Sequence, residues 1–314
     1  MPEQILDTAP AWVPPAASII KRLPAGRYRA IEAICKNAPA PFWRKMPASR
    51  GAFEFVCDLR DSISREACFT GRYEPQETAI LEAILAPGMT FVDIGANWGY
   101  FTLLACQLTG PEGRVISFEP DPRLFARLAA NLARNGLRQA TALPVAAAAE
   151  EGTLTLSGFE EQGDNYGLSR IVEGAAAGAN SFRVRARPVD SALDDAGVGS
   201  VDLVKMDIEG AEDMALEGMA GGLERQRYRR ILLELHPALL AERGRTAREV
   251  LDRLQRSGYY AYRIDHSPEA ARQSAYARAI RAKEFLRPLG AQESLDSWPH
   301  VLLVGGGVIR PEAW

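Results

Sequence analysis

The 314-residue chain has no basic excess: 37 Lys and Arg stand against 40 Asp and Glu, a formal net charge of −3. A protein that grips DNA or RNA by its phosphates carries Lys and Arg in surplus, so nucleic acid is a poor first partner. Cysteine is scarce. Cys35, Cys57, Cys68 and Cys106 form no C-x-x-C pair, and His236, His266 and His300 are the only histidines. No structural zinc site is expected from that set, and so few thiols suit a reducing cytoplasm. Nowhere do about 18 uninterrupted apolar residues occur, so no membrane-spanning helix is expected. The opening MPEQILDTAPAWVPPAASII carries no basic leader, and its prolines break the apolar stretch, so it does not read as a signal peptide. These shortages together favour a soluble, cytoplasmic protein.

What is present is ordinary globular composition, 47% hydrophobic and 25% charged, which argues against disorder and coiled coil. Residues 1–50 are interrupted by Pro24, Pro39, Pro41 and Pro47 and hold little contiguous apolar surface. They read as a cap or arm, with the boundary drawn at 1–75 against a main domain at 76–314. After Pro87-Gly88 the chain alternates short apolar runs with helical spacing. Strands are expected at Thr90–Ile94, Val115–Phe118, Ala140–Val145, Val201–Met206, Arg230–Leu235, Tyr259–Ile264 and His300–Val304. A hairpin-like excursion is expected between 154 and 189, and a helical segment near 269–286. Strands that alternate with helices make an α/β fold, a mostly parallel sheet covered on both faces. Ligands of such sheets bind at the carboxyl ends of the strands, where strand order reverses.

The turn after the first of these strands, VDIGANWGYF (92–101), carries Asp93, Gly95, Asn97 and Gly99. Glycines there let the backbone turn sharply and let a ligand approach the main chain. A dinucleotide-binding G-x-G-x-x-G starting at Gly95 needs glycine at 97 and 100, which hold Asn97 and Tyr100. An acid at the strand end also suits an ammonium group better than a pyrophosphate. The methionine half of S-adenosylmethionine carries such a group. The next strand ends in VISFEPD, with Glu119 at the station where doubly wound nucleotide folds hold ribose hydroxyls. A lone acid after a strand is more often a solvated helix-start residue, but paired with the glycine turn it points to adenosine.

GMTFVDIGANWGYFTLLA (88–105), RVISFEPDPRLFARLAANLARNG (114–136), VDLVKMDIEGAEDMALEGM (201–219) and ILLELHP (231–237) together resemble the FkbM family of S-adenosylmethionine-dependent methyltransferases. TGRYEPQET (70–78) and SGYY (257–260) fit it too. The resemblance covers about 53–265. It implies a class I methyltransferase, Rossmann-like fold: a seven-stranded sheet with one antiparallel strand, here 300–304. It also implies methyl transfer to a hydroxyl of a small molecule or glycan. Carried over by position, Asp93, Gly95, Asn97 and Gly99 line the methionine portion and Glu119 the ribose. Ala147 falls where the adenine-facing loop begins. Thr102 is within reach of the cofactor's carboxylate, or bonds its own helix backbone. Asn165 and Ser169 fall in a stretch that the family places near the cleft, though both also fit a plain hairpin loop.

KMDIEGAE sets Lys205, Asp207 and Glu209 at period two, and ILLELHP does the same for Glu234 and His236. Charged groups clustered at the ligand end of a sheet suggest a site. The plain alternative is a Lys205–Asp207 ion pair with Glu209 and Glu212 at a helix start. An alcohol must lose its proton when it is methylated, and histidine is matched to that task near neutral pH. His236, oriented by Asp207 and held extended by Pro237, is therefore the expected general base, with Asp207 and Glu209 beside it. No metal is expected, since hard cations prefer an all-oxygen shell. An N-methyltransferase and a non-catalytic S-adenosylmethionine-binding module are the alternatives. The identity of the acceptor and any homo-oligomer stay open.

Overall fold

The computed structural model describes residues 4–23, 26–158, 169–172, 180–276 and 280–313. Helices α1 (Val13–Ile20) and α2 (Arg27–Ile34) precede a hairpin of β1 (Phe42–Ala48) and β2 (Gly51–Cys57). Then come α3 (Ser62–Thr70) and α4 (Pro75–Ile84). The α/β alternation begins with β3 (Thr90–Ile94), α5 (Tyr100–Thr109), β4 (Arg114–Phe118), α6 (Pro122–Arg134) and β5 (Ala140–Leu143). An excursion follows through β6 (Val145–Ala147), β7 (Gly152–Ser157), β8 (Arg170–Ile171) and β9 (Ser181–Arg187). The chain returns through α7 (Val189–Asp195) to β10 (Leu203–Met206), α8 (Glu212–Glu217), α9 (Ala220–Glu224) and β11 (Arg230–Glu234). It ends with α10 (Pro237–Glu242), α11 (Ala247–Arg256), β12 (Tyr260–Ile264), α12 (Pro268–Tyr276), β13 (Leu286–Pro288) and β14 (His300–Val304).

The central sheet has eight strands in the order β13-β12-β14-β11-β10-β3-β4-β5. Strands β5, β4, β3, β10 and β11 pair in parallel, and β14 lies antiparallel between β11 and β12. The expected antiparallel strand is therefore where the sequence put it, and the short edge strand β13 adds one strand to the expected seven. The order reverses at β3, which has β4 on one side and β10 on the other, so the switch point sits at the Gly95 turn.

Alternation along the strands divides the core. Phe91 and Leu203 face a cluster shared with α5 and the N-terminal helices; Val92, Ile94, Val204 and Met206 face one shared with α7, α8 and α11. Each such side chain, fully buried, contributes roughly 1.5–3 kcal/mol. The expected third strand breaks at Pro144, which has no N–H to give a ladder. Past that break β6 joins a second sheet, ordered β6-β9-β7-β8.

The N-terminal part is fastened to α6 by two buried or half-buried asparagines. Asn131 accepts from the Val56 N–H and donates to the Trp98 carbonyl, while Asn135 accepts from the Glu54 N–H and donates to its carbonyl. Phe53, Phe55, Tyr73, Tyr100 and Phe101 then pack edge-on or tilted beside the switch point. No helix among the described residues is long and apolar enough to cross a membrane.

Candidate active site

The turn that follows β3 is held to β4, because the N–H groups of Gly95 and Ala96 both donate to the Phe118 carbonyl at 3.0 Å. Its backbone passes through the left-handed region at Gly95, Asn97 and Gly99, with φ of 84°, 52° and 87°. Only glycine fits at 95: an added Cβ would stand 1.9 Å from the Asp207 carbonyl oxygen. Asn97 tolerates its conformation by accepting from the Trp98 N–H at 2.7 Å.

Glu119 is 4% exposed and faces the cavity beneath this turn. Its two oxygens accept backbone N–H groups from Asn97 and Asp121, each at 2.8 Å. Burial pushes its carboxyl up to about 8 against the pull of those two bonds. Each oxygen keeps a lone pair for another donor.

The cavity encloses about 1200 Å³, its open mouth included. Gly95, Asn97, Glu119 and Ala147 line it as expected, with Ala146 beside them. Asp93 and Thr102 are not among its lining residues. They form a buried network beneath the turn, in which the Thr102 hydroxyl donates to Asp93 at 2.6 Å and meets the Ser117 hydroxyl at 2.8 Å. Neither the cofactor-facing position nor the helix self-bond expected of Thr102 is what the hydroxyl does here. Gly99 packs against Leu128, where a Cβ would stand 2.4 Å from Cδ1. Ser169 lines the cavity and donates to Asp121 at 2.7 Å. Asn165 lies outside the described residues.

The opposite wall is acidic. Strand β10 ends at Met206, and the chain turns through Glu209 (φ 47°) and Gly210 (φ 86°). A turn, not the extended strand the spacing suggested, brings Lys205, Asp207 and Glu209 to the same cavity. Lys205 is 5% exposed, lies 4.7 Å over the Phe101 ring, and donates to Asp207 at 3.2 Å. Burial works against its charge, yet Asp207, Glu74, Asp93 and Glu234 outweigh that and hold it protonated. In return, against burial, Lys205 and His236 hold Asp207 below the usual carboxylate range. Glu209 and Glu234 go the other way, pushed up by burial to about 7 and about 8.

His236 differs from expectation. Its backbone, at φ −113° and ψ 77°, is neither helical nor the extended form expected ahead of Pro237, and Nδ1 is engaged by Glu212 at 2.7 Å rather than by Asp207. Glu212 is fully buried. The His236 Nε2 faces Glu209 at 3.5 Å, Glu234 at 3.6 Å and Asp207 at 3.9 Å. Burial opposes its charge, but the Glu212 bond and the Asp207 and Glu209 carboxylates raise it to about 9. It is a cation at neutral pH, and it does not line the cavity. A group already protonated is a poor base.

Tyr73 and Glu74 line the cavity too, from a stretch whose pattern alone assigns them no role. Both precede α4, and Glu74 has φ 42° and a buried Oε2 without a hydrogen-bond partner. Strain of that kind persists where the surroundings enforce it. The resemblance of TGRYEPQET to the family is the signal that reaches them.

A family model described as the methyltransferase FkbM domain matches residues 93–261. The 2-O-methyltransferase NoeI of Sinorhizobium fredii is 27% identical over 186 residues, 56% of this chain and 74% of NoeI. The AMB antimetabolite synthetase AmbE of Pseudomonas aeruginosa is 28% identical over 207 residues, again 56% of this chain but 10% of AmbE. Among solved structures, methyltransferase FkbM from Methylobacillus flagellatus is 15% identical, covering 92% of this chain and 58% of that one at a TM-score of 0.42. The matched residues run from Asp93 to the start of β12 and include the glycine turn, Glu119 and the acidic wall; the chain belongs to the FkbM methyltransferase family.

Proposed function

We propose that the protein transfers the methyl group of S-adenosylmethionine to a hydroxyl of a small molecule or glycan. The observation that carries this reading is one cavity with two unlike ends: the Gly95 turn with Glu119, and the acidic wall of Asp207, Glu209 and Glu234. The residues fit the cofactor. Glu119 has lone pairs left for ribose hydroxyls, and Asn97 and Tyr100 stand where a dinucleotide fingerprint needs glycine. The 2-O-methyltransferase activity in the name of NoeI belongs to that protein and favours oxygen as the acceptor atom.

When bound, S-adenosylmethionine supplies a methyl carbon activated by its sulfonium charge. The Gly95 turn and Glu119 orient the adenosine, and holding the reacting atoms in line is the larger part of the acceleration. Asp207, kept ionised by Lys205, accepts a hydrogen bond from the acceptor. Glu209 would take the hydroxyl proton as the new C–O bond forms and the methyl–sulfur bond breaks, its electron pair leaving on the neutral thioether of the demethylated cofactor, and Glu234 is the other carboxylate within reach of that duty. The His236 imidazolium steadies the charge between them.

Labelled methyl transfer to a panel of hydroxylated acceptors tests the reading, and its pH profile tests the base. A carboxylate base works ionised, so activity should be lost as pH falls through its pKa. The log of kcat should climb with pH and level off above the Glu209 and Glu234 values of about 7 and about 8. A limb near pH 9, where the site holds the His236 imidazole, that vanishes in His236→Ala would return the role to that histidine.

A further inference from the structure

We propose that Glu77, His266 and His300 form a binding site for one first-row divalent cation of the zinc class, outside the methyl-transfer cavity. Neither the family nor the reaction proposed above calls for it, and it stands or falls independently of methyl transfer.

The three residues come from α4, the connection after β12, and the start of β14. Glu77 is 1% exposed. Its Oε1 lies 2.6 Å from His266 Nε2 and 2.9 Å from His300 Nδ1. Its Oε2 is buried and has no hydrogen-bond partner. Hydrogen bonding thus loads one oxygen twice and leaves the other bare, although a carboxylate can serve about four donors. A cation taken on one oxygen would leave the other for water or a donor and use the group fully. The two imidazole rings stack with centroids 4.0 Å apart, and it is their common approach to Glu77 Oε1 that brings one nitrogen of each to the same place.

Once an ion displaces the two N–H protons that Glu77 now accepts, two imidazole nitrogens and one carboxylate oxygen are the donors, a set that zinc-class ions prefer over Mg²⁺ or Ca²⁺. Ligands at about 2.0–2.2 Å in a tetrahedron stand about 3.3 Å from one another, so the present spacing must open by about half an ångström. The His266 side chain, 32% exposed, has room to do this. It lines a surface depression with Arg263, Asp265, Ser267 and Trp298, which gives an ion its way in and leaves a fourth position for water. On the far side, His300 Nε2 faces Glu234 Oε1 at 3.5 Å. A carboxylate behind a metal-binding imidazole orients the ring and fixes its tautomer. The bound ion would pin α4, whose preceding Glu74 lines the cavity, to the antiparallel strand β14.

The test uses the full-length protein after exhaustive dialysis against a chelator, titrated calorimetrically with Zn²⁺, with thermal melts alongside. One equivalent should bind and raise the melting temperature. His266→Ala, a half-exposed position whose loss leaves the core intact, should weaken Zn²⁺ by about 100-fold or more, and His300→Ala should do the same. Wild-type protein that binds no stoichiometric Zn²⁺ would overturn the proposal. So would Zn²⁺ affinity that survives His266→Ala but falls in Glu209→Gln, because the ion would then sit in the methyl-transfer cavity.

Discussion

Gly95→Ala should cost the protein its cofactor affinity and much of its stability. The new methyl would stand 1.9 Å from the Asp207 carbonyl oxygen and 2.9 Å from Ile208 Cγ2, and the backbone at φ 84° suits glycine alone. Left-handed backbone costs an L-residue roughly 1–2 kcal/mol, and overpacking adds typically 1–3 kcal/mol. Relief requires moving the turn away from β10, which also moves the wall that meets the adenosine. Calorimetry should find S-adenosylmethionine binding weakened by about 100-fold or more, with a clear fall in melting temperature. Gly26→Ala is the control: its backbone is left-handed too, at φ 72° and ψ 15°, but nothing lies within 4 Å of its added Cβ. It should pay only the backbone cost and bind the cofactor as wild type does. Equal behaviour of the two variants would show that the close approach at Gly95 does not matter.

The second large effect belongs to the base. Glu209→Gln should lower kcat by about 10²–10⁴ with little change in cofactor affinity, the usual contribution of a general base. Glutamine keeps the shape and removes the proton acceptor. Glu234→Gln should lower kcat less, because its neighbours His236 and His300 remain and Glu209 still takes the proton. Single-turnover kinetics with saturating cofactor would check both. If Glu234→Gln shows the large loss and Glu209→Gln the small one, the base moves one strand along. If neither variant falls tenfold, deprotonation does not limit the reaction and the acidic wall only positions the acceptor.

The parts of this site that were legible in the sequence are those fixed by neighbours in the chain. The glycine turn reads at once because left-handed backbone needs Gly95 and Gly99 at their own positions, and Glu119 follows from the fixed length of one strand–helix–strand unit. Pro144 was equally local, yet its consequence was missed: a missing N–H ends one sheet, but the strand that β6 joins lies some forty residues on, in β9. The partners of the buried charges were out of reach. Glu212 reads as a helix-start acid, and only packing shows it buried on His236, 24 residues away. That contact turns the expected base into a fixed cation. Glu77 and His266 are 189 positions apart, so no spacing rule could have joined them. Local pattern fixes elements and turns; the charge state of a buried group depends on everything that folds around it.

The central claim is that the cavity between the Gly95 turn and Glu119 holds S-adenosylmethionine. Calorimetric titration of the full-length protein with S-adenosylmethionine, its demethylated product and NADH, repeated on Glu119→Ala, tests it most directly. Two ribose hydroxyls bonded to the Glu119 carboxyl, at about 0.5–1.5 kcal/mol each, would be lost, so the variant should bind S-adenosylmethionine and its product roughly 5–150-fold more weakly. Wild-type protein should bind both and show no heat with NADH. Tight NADH binding without any response to S-adenosylmethionine, or unchanged affinity in Glu119→Ala, would contradict the account.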